Sequence, residues 1–123
     1  MTAWDEWPKS AGLYDMVLIS SFEYPGEVYG LLAWRTGIED HEALKFLTLG
    51  VISYGLCKGT MVAGDLNDEG LQPWACDLGT TIDRIARGLA DMHKKGWMIP
   101  GLICWLGKTD EGNRQADKHT YGP

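Results

Sequence analysis

The chain has 123 residues, of which 45% are hydrophobic, and it carries a formal net charge of −6 with a pI near 4.9. This length and apolar share suit a single domain spanning residues 1–123, and they exclude a chain that is disordered over its whole length. The acidic balance is opposite to that of proteins that bind nucleic acid through phosphate contacts. Because no stretch approaches ~18 apolar residues and residues 1–9 lack a signal-peptide pattern, we expect no membrane span and a cytoplasmic location.

The acidic residues are concentrated near the start of the chain. Residues 1–42 contain eight acidic side chains, opposed by Lys9 and Arg35, whereas acids and bases are equal in number from Ala43 onward. The whole net charge therefore arises in the first third. Such a bias either keeps a small domain in solution or forms a surface that attracts a basic partner.

The first predicted element is a helix over residues 10–22, where apolar residues recur at helical spacing and Ser10 provides a cap. The sequence Tyr24-Pro25-Gly26 ends it, because the residue before proline avoids the α region and glycine favours a turn. Residues 27–35 suit either a short second helix or a strand.

A long helix is predicted over residues 39–56. Thr36 begins a capping-box pattern for this helix, and Asp40 is a competing cap. Gly55 and Gly59 are the candidate stops. Because apolar residues occupy most of the circumference, we expect this to be the central and most buried helix.

The second half of the chain combines short strands with one amphipathic helix. Strands are predicted over residues 60–66 and 102–106, with a polar turn over 65–70 and an irregular segment over 71–74. The pattern is that of a mainly helical α+β fold with three or four helices and a small two- or three-stranded antiparallel sheet.

The remaining helix is predicted over residues 81–95, with Asp77 or Thr80 as its cap and Ile85 on its apolar face. Residues 1–9 and 113–123 are expected to be mobile ends of the domain.

No catalytic or metal-binding motif is recognisable. The three cysteines are an odd number at wide spacing, which indicates free thiols, and the apolar neighbours of Cys57 and Cys104 favour burial. The loop from Asp65 begins like a calcium loop, but its twelfth position is Cys76 rather than glutamate. We expect no metal, no cofactor and no enzymatic activity.

Tryptophan is unusually abundant, with six residues in the chain. Three of them are predicted to complete the core: Trp34, Trp74 and Trp105. Trp4 and Trp7 differ, because they flank Asp5 and Glu6 near the chain start. They either contact a partner or fold back onto the domain.

Scattered residues between Gly55 and Gly112 resemble those of small uncharacterised bacterial proteins. The shared pattern comprises Gly55-Leu56, Gly64-Asp65-Leu66, Pro73-Trp74, Ile82, Arg84-Ile85, Cys104-Trp105-Leu106, Thr109 and Gly112. The closing Trp-Leu-x-x-Thr-Asp-Glu-Gly is also similar to the last wing strand of winged-helix regulators, which implies a winged-helix-like fold. In such a fold, a helix would be inserted between the wing strands of this chain.

Three functional hypotheses follow. In size and charge the chain resembles the acidic immunity proteins that neutralise basic toxins, which implies a protein-binding domain with a basic partner. The candidate partner-binding residues are Trp4, Asp5, Glu6, Trp7, Glu23 and Glu27. The alternatives are a winged-helix-like regulatory module, and an enzyme or small-ligand binder with a pocket near Trp74 and Cys76.

Overall fold

The computed structural model of the chain describes residues 12–91 and 103–121. The elements of this part, in chain order, are α1 (Leu13–Ile19), α2 (Pro25–Thr36), α3 (His41–Lys58), β1 (Met61–Asn67), β2 (Gly70–Pro73), α4 (Leu78–Ala90), β3 (Trp105–Lys108) and α5 (Asp110–Tyr121). The predicted mainly helical α+β fold with a small antiparallel sheet is confirmed. No helix in this part is long and apolar enough to cross a membrane.

The first two helices are separated by a sharp break. α1 ends at Ile19, before the predicted end, because the Ser20 N–H closes on carbonyls of the last turn and its hydroxyl donates to the Val17 carbonyl at 2.6 Å. Pro25 then opens α2, where its fixed φ and missing N–H are suited to the first helical position. Residues 27–35 are therefore helical rather than extended.

Asp40 caps α3 by accepting a hydrogen bond from the Glu42 N–H at 3.0 Å. The predicted capping box is wrong, because Thr36 is the last residue of α2 and its hydroxyl donates to the Leu32 carbonyl at 2.7 Å. Gly59 ends the helix with a φ of 75°, in the left-handed region that glycine adopts without strain.

α3 is central, since it contacts α1, α2, α4 and β1, but its outward face is exposed although apolar residues occupy most of its circumference. Thr48 and Lys45 are buried, whereas Phe46 is 73% exposed and Tyr54 is 49% exposed. The Thr48 hydroxyl donates to the Leu44 carbonyl at 2.7 Å, and the Lys45 amino group reaches Glu42 Oε1 at 3.2 Å. Local hydrogen bonds thus allow polar side chains to be buried, and apolar ones are left at the surface.

The sheet has the strand order β2-β1-β3, and both pairings are antiparallel. β1 and β2 form a hairpin through the turn before Gly70, so the prediction of an irregular segment over 71–74 is wrong for Leu71–Pro73. Across the other edge Ala63 pairs with Leu106. α4 lies between β1 and β3 in sequence, so a wing formed by these strands would contain an inserted helix, which departs from the winged-helix pattern.

α4 begins at Leu78, before the predicted start, because Asp77 caps it by accepting from the Thr80 N–H at 2.7 Å. It ends at Ala90, with Asp91 as its C-cap, and residues 92–95 of the predicted 81–95 helix lie outside the described residues.

Sequence analysis did not anticipate α5. Thr109 starts it by accepting from the Gly112 N–H at 3.1 Å, and its hydroxyl donates to the Gly59 carbonyl at 2.6 Å. Most of the predicted mobile end over 113–123 is therefore helical, while its motion stays a prediction.

One cluster of buried apolar side chains joins all of the described helices to β1 and β3. The members with least exposure include Met16, Leu18, Leu32, Ile52 and Ile85. α3 crosses this cluster through Leu44, Val51 and Ile52. Packing in this core thus fixes the helices against one another.

Candidate functional site

A shallow groove runs between the end of α1 and one face of α2. Its volume is about 320 Å³, and its lining includes Ser21, Phe22, Glu27, Leu31 and Trp34. Glu27 and Trp34 are seven residues apart on α2. Two helical turns, about 10 Å in total, therefore separate a carboxylate from an indole on the same face.

Trp34 is the largest exposed side chain bordering this groove. It is 53% exposed, so the prediction that it completes the core is wrong. Ile38, in the loop that follows α2, is also partly exposed at 36%. Removing apolar area of this kind from water lowers the free energy by roughly 25 cal/mol for each Å².

The segment of the chain that carries this apolar area is acidic. Between Gly12 and Glu42 the structure describes six acids and a single Lys or Arg, Arg35. Glu23 and Glu39 are exposed, and neither forms an ion pair with a base among the residues described. We define the acidic surface as Glu23, Glu27, Trp34, Ile38 and Glu39.

The carboxylate of Glu27 is held in place by the backbone. Its Oε1 accepts a hydrogen bond from the Glu23 N–H at 2.7 Å, at the start of α2. This interaction satisfies the N–H of the residue that precedes the N-cap Tyr24, and it places negative charge where the helix dipole favours it. The groove therefore has a fixed acidic end and an aromatic end.

The pKa of Tyr29 reflects the negative charge of nearby carboxylates in the same chain. Its buried ring places the hydroxyl 2.7 Å from His41 Nδ1, at the start of α3. Burial raises the pKa of Tyr29, and the carboxylates of Asp40 and Glu42 raise it further. The shift has the sign expected when a second negative charge is resisted by those already present.

Part of the predicted partner-binding set is located by the structure. Glu23 and Glu27 lie together at the start of α2. The other predicted members, Trp4, Asp5, Glu6 and Trp7, lie outside the described residues, and their role stays a prediction. Sequence reasoning missed Trp34 and Ile38 as exposed residues. The available signal was the position of Trp34 beside Arg35 and Thr36, at a helix end followed by a polar loop.

Trp74 and Cys76, the predicted pocket residues, lie in the segment between β2 and α4. The guanidinium of Arg84 stacks on Trp74, 3.5 Å from the ring centroid, and Cys76 Sγ lies 3.2 Å from the Thr81 hydroxyl. Neither residue lines the groove between α1 and α2. Trp105 is partly buried and meets Tyr24 edge to face.

The three thiols are free, and they differ in exposure. Cys57 and Cys76 are exposed and Cys104 is buried, so the expected burial of Cys57 is wrong. Burial raises the pKa of the Cys104 thiol to about 12. Within residues 12–91 and 103–121, no three His, Cys, Asp or Glu side chains are grouped to hold a metal ion.

Comparison with known proteins gives no relative for this chain: no family model, curated protein or solved structure matches it. The resemblances noted for residues 55–112 and for the closing strand stay predictions. The acidic surface therefore has to be interpreted from its own chemistry.

Proposed function

We propose that this protein is a cytoplasmic protein-binding domain that holds a basic partner protein on its acidic surface. The observation that carries the proposal is the half-exposed Trp34, which lines a groove together with the Glu27 carboxylate. Exposed tryptophan is a frequent anchor of protein interfaces, and surrounding charges select the partner.

The charges and the tryptophan have separate roles in this proposal. Glu23 and Glu39 attract a basic surface from within about 10 Å at ~0.1 M salt, so they act mainly on the association rate. Trp34 and Ile38 exclude water once the partner is seated, so they act mainly on the dissociation rate.

A stoichiometric inhibitor of a basic toxin fits this division of roles. Such a protein needs rapid, charge-steered association and slow dissociation, and it needs no catalytic groups of its own. This is the kind of immunity protein that the chain resembles in size and charge, and the partner would be a basic protein.

Differential capture tests the proposal. The immobilised chain, a Glu23→Lys/Glu39→Lys variant and an Asp68→Lys/Glu69→Lys control are exposed to the same cell extract. The control changes the net charge equally, in the exposed turn between β1 and β2. We expect a basic protein that is retained by the wild type and the control but lost by the variant, and that forms a one-to-one complex when purified.

Two outcomes would contradict the proposal. One is that no captured protein distinguishes the variant from the control. The other is that the protein lost by the variant is acidic or fails to bind when purified. Thermal melts of both variants establish that loss of capture does not reflect unfolding.

A further inference from the structure

The outward face of α3 carries a continuous uncharged strip. Ala43, Phe46, Gly50, Tyr54 and Cys57 are all exposed, and successive members are three or four residues apart. This spacing places them along one line of the helix, over a length of about 21 Å. An apolar line on the outside of a helix is typical of a surface that another helix covers.

Depressions flank the strip on both sides. On one side Tyr14 of α1 and Gln115 of α5 border a groove of about 580 Å³ that Gly50 and Tyr54 share. On the other side Ala86 of α4 borders a smaller cleft of about 120 Å³ that includes Phe46. Each flank therefore has room for a side chain from an opposing helix.

The strip is symmetrical about Gly50. Phe46 and Tyr54 are each four residues from it, and Ala43 and Cys57 are each seven residues from it. A Cβ atom at Gly50 would meet nothing within 4 Å. A second copy of α3 can therefore approach closely at this point, with small residues opposite small residues and aromatic rings at equal distances from a two-fold axis.

Charge determines the direction of the second helix. The start of α3 is acidic, with Asp40 and Glu42, and its last turn carries Lys58. A parallel pair would bring two acidic starts together and align the helix dipoles. An antiparallel pair places Lys58 near the acidic start of the other copy and opposes the dipoles.

We propose that the protein forms an antiparallel homodimer through α3, with its two-fold axis at Gly50. The aromatic rings of each copy enter the depressions that flank the strip of the other. The proposal is independent of the basic partner, because it concerns the chain alone and uses none of the residues that define the acidic surface.

Sedimentation of the full chain across the micromolar range tests the dimer. We expect a species of twice the chain mass of 13.7 kDa that dissociates on dilution. Gly50→Arg places a cation against its own copy and should weaken the dimer at least about tenfold, by about 1.4 kcal/mol. Asn113→Arg makes the same charge change on an exposed position of α5 and should leave the dimer intact.

Cysteine cross-linking tests the direction of the helices. In an antiparallel pair Cys57 lies opposite residue 43 of the other copy, whereas the two Cys57 residues are about 21 Å apart. Oxidation with diamide should therefore give a covalent dimer of Ala43→Cys/Cys76→Ser but not of Cys76→Ser alone. A disulfide between residues 43 and 57 of the same chain is excluded. The two Cα atoms of a disulfide must lie within about 7 Å, and these residues are about 21 Å apart along the helix.

Three results would overturn the proposal. The first is a monomer throughout the micromolar range. The second is covalent dimerisation of Cys76→Ser alone, which indicates parallel helices. The third is equal weakening by Gly50→Arg and Asn113→Arg while both variants keep the melting temperature of the wild type, which places the interface away from α3.

Discussion

Trp34 and Leu32 are two residues apart on α2, yet they lie in opposite environments. Leu32 is fully buried in the core, while Trp34 borders the groove with half of its surface in water. A side chain that is removed from water on folding contributes more to stability than one that stays exposed. About half of the Trp34 surface is therefore exposed for contact with a partner.

Truncation of these two residues should separate folding from binding. Leu32→Ala leaves a cavity in the core and should lower the free energy of unfolding by about 2–5 kcal/mol. Trp34→Ala should lower it by less than Leu32→Ala does, because half of the Trp34 surface already lies in water. Urea denaturation measures both values. A loss at Trp34 comparable with that at Leu32 would show that the indole is part of the core.

The cysteines give a second prediction at the residue scale. The reacting species is the thiolate, and burial raises the pKa of the Cys104 thiol to about 12. Cys104 therefore stays protonated as well as inaccessible at pH 8, while Cys57 and Cys76 are exposed. A thiol-reactive dye at pH 8 should label two thiols rapidly in the native protein and the third after unfolding. Rapid labelling of all three in the native state would contradict the buried position of Cys104.

Among the elements, those that local signals specify were predicted best. Asp40 and Asp77 mark helix starts through chemistry that acts within a few residues, and Gly59 marks a helix end in the same way. α5 was missed because its polar residues give little apolar periodicity. What fixes its start is the long-range bond from Thr109 to the Gly59 carbonyl, which sequence spacing does not reveal.

The packing of α5 yields a prediction of opposite signs at two glycines. A Cβ atom at Gly112 would lie 2.1 Å from the Thr60 carbonyl oxygen, whereas at Gly79 in α4 it would meet the Asp77 side chain at an ordinary 3.6 Å. Gly112→Ala should therefore lower the melting temperature, although alanine favours helix. Gly79→Ala should raise stability by about 0.4–1 kcal/mol. Thermal melts test both, and a stabilised Gly112→Ala would show that α5 does not pack here.

At the scale of the whole molecule, the charge pattern was visible in the sequence but its surface was not. The excess of acids before residue 43 indicates an attractive region, and the structure brings two of the predicted partner-binding residues, Glu23 and Glu27, together at the start of α2. Whether Trp34, Ile38 and Phe46 are exposed depends on which faces of the helices pack into the core. That choice is made by tertiary packing, which allows Thr48 inward and leaves Phe46 outside.

The same packing separates two surfaces on one small frame. The acidic surface lies along α2 and the loop after it, and the uncharged strip lies along α3. A charged surface favours rapid association with an oppositely charged protein, and an uncharged strip favours association with its own copy. Binding of a basic partner is the central claim, because it rests on the charge of the chain as well as on the exposed tryptophan.

The rates at which the purified chain and its basic partner associate and dissociate provide the sharpest test of this binding. Glu23→Lys/Glu39→Lys should slow association at least about tenfold and flatten its dependence on salt, with little change in dissociation. Trp34→Ala should instead speed dissociation. The Asp68→Lys/Glu69→Lys control should retain most of the wild-type association rate. Equal slowing by the control, or unchanged dissociation of Trp34→Ala, would contradict binding through the acidic surface.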